Sequence, residues 1–370
     1  MKNTLGTNLT LTLFGESHGE MMGAVLDGIA PGIAIDHEAI AYRLTQRRPV
    51  GSISTARAEK DPYSIVSGVK NGFTTGAPLA ILIPNENTIS SDYDLLRNKA
   101  RPGHADYAAQ CKYHGFQDQA GGGHFSGRVS APLVAGGTVV RCALEKKGIT
   151  IAAHLLRCGG VCDRPFSFDP TVLKEEMAQA SEKAFAVLDD AVGEQMKERI
   201  LEAKFQGDSG GGELEIAITG MPGGVGEPWF DSVEGLLSHA LFGIPGIKGV
   251  AFGAGFDFCD MRGSQANDPF RIAEDGSVIT TSNHNSGING GITNGMPLRI
   301  CLAVRPTPTL ALSQDTIDFE KMENITLAAK GRHDPAIVHR VRAVAEAVCA
   351  LVLGDLLNGR FGCDWFTKEE

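Results

Sequence analysis

The sequence predicts an α+β fold built in layers, and three observations point to it. Strand-like and helix-like segments interleave along the 370 residues without a regular βαβ rhythm, which argues against a doubly wound parallel sheet. No low-complexity linker divides the chain, so residues 1–370 are expected to form a single unit. Neither a Rossmann nor a P-loop unit is present. Gly121-Gly122-Gly123 lacks the preceding strand and the following acidic residue that a dinucleotide turn needs. With 42% hydrophobic and 21% charged residues, the chain can bury a large core.

The elements follow in order. Leu9 to Phe14 alternates leucine with threonine, the period of a half-buried strand, and Ala24 to Ile29 reads as its antiparallel neighbour. Asp36 is a suitable N-cap for a helix running through Ile40 and Leu44 and ended by Pro49. Pro78 to Pro84 is a short apolar strand. Val129 to Lys147 reads as an Ala/Val-rich helix whose Gly136-Gly137 pair allows close packing. Thr171 to Phe205 reads as a charged helical pair forming a surface layer. Glu213 to Thr219 alternates again, Asp231 to Phe242 is a capped helix, and Leu298 to Val304 is another strand. Ile337 to Leu357 carries valines and leucines at helical spacing and is a long core helix. The stretches 207–212, 220–226, 243–255 and 283–295 read as glycine-rich loops. No internal repeat is evident, and a diverged duplication of two halves stays open.

The formal net charge of −10 excludes nucleic-acid binding driven by bulk electrostatics. Eight cysteines show no paired framework or zinc-like spacing, so no metal site is expected, and reduced thiols fit the cytoplasm. No apolar run reaches membrane-spanning length and no signal core is seen at the N-terminus.

The chemistry sits in short glycine- and proline-rich motifs. They are Gly15-Glu16-Ser17-His18-Gly19, Arg101-Pro102-Gly103-His104-Ala105-Asp106, Gly121-Gly122-Gly123-His124-Phe125-Ser126-Gly127-Arg128 and Gly331-Arg332-His333-Asp334-Pro335. Glycine admits close backbone approach, arginine grips phosphate or carboxylate bidentately, and histidine moves protons near neutral pH. His18 lies between glycines after a strand, and His104 lies close to both Arg101 and Asp106. Asp334 can cap the C-terminal helix, with Pro335 at its first position, and also serve chemistry. Arg43 is equally balanced between a helix-end role and ligand binding, while Arg47 and Arg48 run into a loop and favour a ligand. Asp208-Ser209-Gly210-Gly211-Gly212 lacks the histidine context of a serine nucleophile. The residues alone therefore indicate acid–base or elimination chemistry on an anionic small molecule.

The ordered motifs, above all R-P-G-H-A-D-Y and G-R-H-D-P, resemble the chorismate synthase family over almost the whole chain. The resemblance implies a β-α-β sandwich, usually a homotetramer with flavin sites near subunit contacts. It implies an anti-1,4-elimination that removes phosphate and a C6 proton from 5-enolpyruvylshikimate 3-phosphate, giving chorismate. Reduced FMN is required without net redox change, through transient electron donation. NADPH would enter only as an indirect reductant, and an external flavin reductase is a conceivable partner. By the resemblance, His18 protonates the reduced flavin, His104 serves the departing phosphate, and Asp334 assists proton removal through the flavin N5. Ser17, Arg48, Arg101 and Arg128 would contact substrate, and Arg47 matches a position assigned to nicotinamide nucleotide. Flavin contacts would fall on His124, Phe125, Ser126, Gln265, Ala266, Gly290, Arg305, Pro306, Thr307, Pro308, Thr309 and Arg332. A catalytically idle, flavin- or anion-binding paralogue is the alternative.

The chain departs from the family pattern at three places. His124 and Phe125 replace an arginine and a serine, while Ser126 and Arg128 remain. Pro308 replaces a hydroxyl residue in the Arg305–Thr309 run, and an arginine common after Arg48-Pro49 is missing. These changes bear on flavin affinity and argue against a built-in flavin reductase.

Overall fold

A computed structural model describes residues 2–55, 60–85, 96–328 and 334–368. The first half supplies β1 (Thr4–Leu5), β2 (Thr10–Phe14), β3 (Met21–Asp27), α1 (His37–Gln46) and β4 (Ser64–Ser67). The hairpin β5 (Val69–Lys70) and β6 (Phe73–Thr74) then leads into β7 (Leu79–Pro84). These strands form an antiparallel sheet in the order β1-β2-β3-β7-β4. Alternation puts Leu11, Met22, Ala24, Leu26, Leu79, Ile81 and Ile83 on the buried face. Asp36 caps α1 by accepting the Ala39 N–H at 2.8 Å, as its sequence position predicts.

Next come α2 (Asp106–Tyr113), α3 (Ser130–Lys146), β8 (Thr150–Cys158) and β9 (Val161–Cys162). The helical pair α4 (Pro170–Glu182) and α5 (Asp190–Phe205) is followed by β10 (Gly212–Thr219), α6 (Val233–Leu241), β11 (Ile247–Phe252) and the short α7 (Gly263–Ala266). Hairpins β12–β13 (Phe270–Ile272, Val278–Thr280) and β14–β15 (Ile288–Asn289, Ile292–Thr293) precede β16 (Leu298–Val304). A third hairpin, β17–β18 (Gln314–Asp318, Glu323–Leu327), and helix α8 (Val338–Phe361) complete the set. The second sheet has the order β11-β16-β10-β8-β9, also antiparallel. Helices α3 and α8 pack against each other between the sheets, α3 on β3 and β7, α8 on β8 and β10. The layers are therefore sheet, helices, sheet. At Gly137 a side chain would come within 2.7 Å of Ala347, so the glycine lets α3 and α8 approach closely.

The two sheets repeat one plan. In the first, Gly23 pairs with Phe14 on one side and Leu82 on the other; in the second, Glu215 pairs with His154 and Cys301. Each sheet receives its third strand of this set (β7 or β16) from a small hairpin. The chain reads S-G-V-K-N-G-F-T-T-G-A-P-L over 67–79 and S-G-I-N-G-G-I-T-N-G-M-P-L over 286–298. Thr74 Oγ1 accepts the Ile33 N–H at 2.9 Å and donates to the Ala30 carbonyl at 2.6 Å. Thr293 Oγ1 does the same with Val225 at 3.0 Å and Pro222 at 2.7 Å. A duplication is thus present where no repeat is evident by eye, because the strands diverged while the turns kept their hydrogen bonds.

Other differences are local. Helix α6 is capped by Ser232, whose side chain accepts the Gly235 N–H, rather than by Asp231. β11 and β14–β15 lie within stretches that read as loops, since glycine content hid their alternation. β8, α2 and the β17–β18 hairpin carry no period that single-sequence reading picks out. Helix α4, through Leu173, Met177 and Ala180, and Phe166 just ahead of it cover the outer face of the second sheet at Ala152 and Ala217. Among the described residues the outer face of the first sheet has no such cover: Phe14, Met21 and Val66 are exposed.

All eight cysteines are free. Burial pushes the Cys158 thiol up to about 11 and Cys301 up to about 12, the behaviour of inert core thiols. Among the described residues no helix is long and apolar enough to cross a membrane.

Candidate active site

The 15–19 loop joins β2 to β3 and is held from two sides. Asn85, just after β7, donates through Nδ2 to the Glu16 carbonyl at 3.0 Å and the Gly19 carbonyl at 2.8 Å. From the other side, the Ser17 N–H donates to the Gly123 carbonyl at 3.1 Å. Ser17 Oγ lies 3.2 Å from His18 Nδ1, which orients the ring. Gly121 sits against that ring with φ +68°, and a Cβ there would fall 2.3 Å from His18 Cε1. Only glycine permits both the backbone angle and the approach.

Arg101, His104 and Asp106 form one cluster at the start of α2. Asp106 Oδ2 accepts from the Arg101 backbone N–H at 3.0 Å and from Nε at 2.8 Å, while Oδ1 takes Nη2 at 2.7 Å. Arg101 Nη1 donates to the Gly121 carbonyl at 3.0 Å, so the cluster is tied to the glycine turn. His104 Nδ1 lies 2.9 Å from Asp106 Oδ1 and 3.1 Å from Arg101 Nη2. The ring is thus anchored through Nδ1, and Nε2 faces Gly122. Burial works to raise the Asp106 carboxyl, but hydrogen bonds from Arg101 and His104 outweigh it and hold it far below the usual carboxylate range. A shallow cleft opens here, lined by Arg101, His104, Asp106, Gln117 and Phe125.

A second cluster lies at the end of α1. Asp61 Oδ2 accepts from Arg47 Nη2 at 2.7 Å and Oδ1 accepts from Arg128 Nη1. Desolvation raises this buried carboxyl, yet the two arginines outweigh it and keep it low. Arg128 Nε also reaches Asn85 Oδ1 at 3.3 Å, linking this cluster to the His18 loop. Arg48 Nη2 donates to the Lys60 carbonyl. Asp334 Oδ2 is bonded by Arg340 Nη1, and Arg340 Nε donates to the Arg47 carbonyl at 2.8 Å. Asp334 therefore stands beside the arginine cluster, just ahead of α8.

The remaining candidates divide. His124, Phe125 and Ser126 occupy consecutive turns below the His18 loop. His124 Nδ1 bonds the Gly15 carbonyl at 2.8 Å, Phe125 is partly exposed beside Tyr113, and Ser126 Oγ accepts the Arg128 N–H at 3.2 Å. Arg305 Nη1 donates to the Gly103 carbonyl at 2.7 Å, which brings the 305–309 run to the His104 turn. Thr307 is held by Ser209 Oγ, which donates to its carbonyl at 2.7 Å; Gly210 N–H holds the Pro335 carbonyl at 2.8 Å. Gln265, Ala266 and Gly290 lie elsewhere. Gln265 accepts the Arg262 N–H at 3.0 Å, Ala266 accepts from Asn285 at 3.3 Å, and Gly290 lies at the exposed tip of the β14–β15 hairpin. Arg332 lies outside the described residues.

Arg43, left open by the sequence, is a core residue: Nη1 bonds Glu346 Oε2 at 2.9 Å. His154 and His339 are also buried and structural. Three residues of the site carry no motif signal: Asn85, Asp61 and Arg340. Only their distance in sequence from the motifs hid them, since each acts through a contact made in the fold.

Taken together, two oriented imidazoles, three carboxylates and the arginines 47, 48, 101 and 128 meet from separate segments. Such a set binds a multiply charged anion and exchanges protons with it.

Comparison with known proteins agrees. The family model described as chorismate synthase matches residues 9–357. The chorismate synthase of Pyrococcus abyssi is 42% identical over 352 residues, 95% of this chain and 96% of the relative. That of Thermococcus gammatolerans is 44% identical over 356 residues, covering 96% and 97% respectively. A solved structure titled as the crystal structure of chorismate synthase superposes with a TM-score of 0.77 at 28% identity, covering 97% of this chain and 94% of that one.

Proposed function

The chain belongs to the chorismate synthase family, and we propose that His18, His104 and Asp334 are its catalytic groups. The activity is elimination of phosphate from 5-enolpyruvylshikimate 3-phosphate to give chorismate, a carbon–oxygen lyase step toward the aromatic amino acids. The observation that carries the residue assignment is the junction at Gly121–Gly123, where the His18 loop and the Arg101–His104–Asp106 cluster meet.

In this reading Arg101 and His104 receive the departing phosphate, with the imidazole aimed by Asp106 and Arg101. Arg48 and Arg128 hold substrate carboxylates, assisted by Ser17. Asp334 takes up the proton that the substrate loses. The arginines offset the crowding of negative charge, and being fixed in advance they need no reorganisation during reaction.

The family uses reduced flavin, and we take the cofactor here to be reduced FMN. The residues present suit it. Phe125 offers an exposed aromatic face, and a side chain added at the neighbouring Gly127 would meet nothing within 4 Å. Phe125, His124, Ser126 and the Arg305–Thr309 run would hold it, with His18 keeping a proton ready beside it. When bound, it supplies electron density that helps the phosphate leave. Gln265, Ala266 and Gly290 belong to this site only if subunit contacts bring them to it. The uncovered outer face of the first sheet and the exposed Trp229 and Phe230 support the homotetramer. Arg47 is buried on Asp61, which favours an external reductase over NADPH binding at this position. The free thiols suit a cytoplasmic location.

No observation favours an idle paralogue. Purified protein supplied anaerobically with dithionite-reduced FMN should form chorismate and phosphate from the substrate. A protein that binds FMN and substrate yet forms no chorismate would reinstate the idle reading.

A further inference from the structure

Arg340 lies in the first turn of α8 and belongs to none of the motifs. Its guanidinium makes two bonds in different directions: Nη1 to Asp334 Oδ2, and Nε to the Arg47 carbonyl at 2.8 Å. One planar fork thus joins the carboxylate ahead of α8 to the arginine-bearing end of α1. The neighbouring residue adds a second tie. His339 Nε2 lies 2.9 Å from Ser54 Oγ, and that same hydroxyl accepts the Val50 N–H at 3.0 Å. Burial, then the nearby Arg340 and Arg342, press the His339 pKa down to about 3, so the ring that bonds Ser54 is neutral. Residues 47–54 and Asp334 therefore hang from a single turn of helix. That helix is a rigid base, with Val338, Ala345 and Leu353 fully buried.

We propose that Arg340 is a positioning residue for the elimination, fixing Asp334 relative to the arginine cluster of Arg47, Arg48 and Arg128. The proposal rests on the reading of Asp334 as the proton-accepting carboxylate. Arg340 need not touch substrate; it sets where the carboxylate stands and ties it to the segment that carries the anion. A lysine would keep the charge but not the fork, since a single ammonium cannot hold both acceptors in the same geometry.

The test compares Arg340→Met, Arg340→Lys, Asp334→Asn and the Arg340→Met/Asp334→Asn double variant, with dithionite-reduced FMN under anaerobic conditions. Misplacing a catalytic group by about 1 Å costs on the order of 100-fold, so Arg340→Met should lower kcat by about 10- to 100-fold while KM changes by less than about threefold. Arg340→Lys should recover part of that loss. The double variant should be no slower than Asp334→Asn alone, because Arg340 acts through the carboxylate. A further full loss in the double variant, or a loss confined to KM, would overturn the proposal. If Asp334→Asn keeps wild-type kcat, the carboxylate's own role fails and this proposal with it. If Asp334→Asn is slow but Arg340→Met is not, only the positioning role fails. Should Arg340→Met not fold, Arg340→Lys decides: normal melting with undiminished kcat overturns the idea.

Discussion

Among the described residues, two histidine–carboxylate–arginine clusters invite comparison, and they differ in exposure and in the number of carboxylates, one at His104 and two at His154. At the site, His104 is joined to Asp106 and Arg101, with the ring 18% exposed and Nε2 facing the Gly122 turn. In the second sheet, His154 lies 2.9 Å from Glu215 and 3.7 Å from Asp163, while Arg299 bonds Glu215; the imidazole is 0% exposed. Phe166 closes over that ring edge-on at 4.5 Å. Desolvation works to lower the His154 pKa, but hydrogen bonds and charge from Asp163 and Glu215 outweigh it and raise it, which favours the charged ring. The sealed cluster ties 163–190 to the sheet, where Asp163 also accepts the Leu188 N–H at 2.6 Å. Similar groups brace the core where every atom faces protein, and can reach a ligand where one nitrogen faces a cleft.

The comparison breaks most visibly at the two histidines. His104→Ala should cost turnover about 10²- to 10⁴-fold, the usual worth of a general acid or base, with the melting temperature nearly unchanged. His154→Ala should do the reverse, losing about 3–5 kcal/mol of stability because two buried carboxylates lose their partner. Chemical denaturation and steady-state kinetics on both variants check the pair, and a swapped pattern would refute the division. The pH dependence sharpens it. His154 is raised above 6.5, so its contribution is full below that value and fades as pH climbs through its folded-state value. Glu215 and Asp163 are lowered from 4.5 and 3.8, so theirs is full above those values and fades in acid. The stability gap between wild type and His154→Ala should therefore be widest at about pH 5–6 and narrow on both sides. Smaller still is Ser209→Ala, which removes one bond to the Thr307 carbonyl. It should weaken FMN binding by about fivefold, roughly 1 kcal/mol, in a fluorescence titration; unchanged affinity would separate the 305–309 run from the flavin.

Much of this contrast was legible early. Asp36, α1, β7, β16 and α8 lie where caps and periodicity put them, since local physics sets those elements. His154 reads as structural because no glycine- or proline-rich motif carries it, and His104 as a candidate because a glycine-proline turn does. Arg43 stayed balanced between a helix-end role and a ligand while Arg47 favoured a ligand, and only packing sends one to Glu346 and the other to Asp61. The duplication escaped notice because it survives in turn hydrogen bonds and strand register, which divergent side chains conceal.

The sequence by itself determined the family, the layered α+β class and the motifs from which the candidate site is read, since glycine turns and charged side chains report their chemistry locally. Tertiary structure alone decided which charges meet. Asp61 between Arg47 and Arg128, Asn85 beneath the His18 loop and Arg340 between Asp334 and Arg47 each pair residues from separate segments. Such pairs depend on how α3 and α8 bring the two sheets together, and burial then determines whether a charged cluster binds ligand or braces the core.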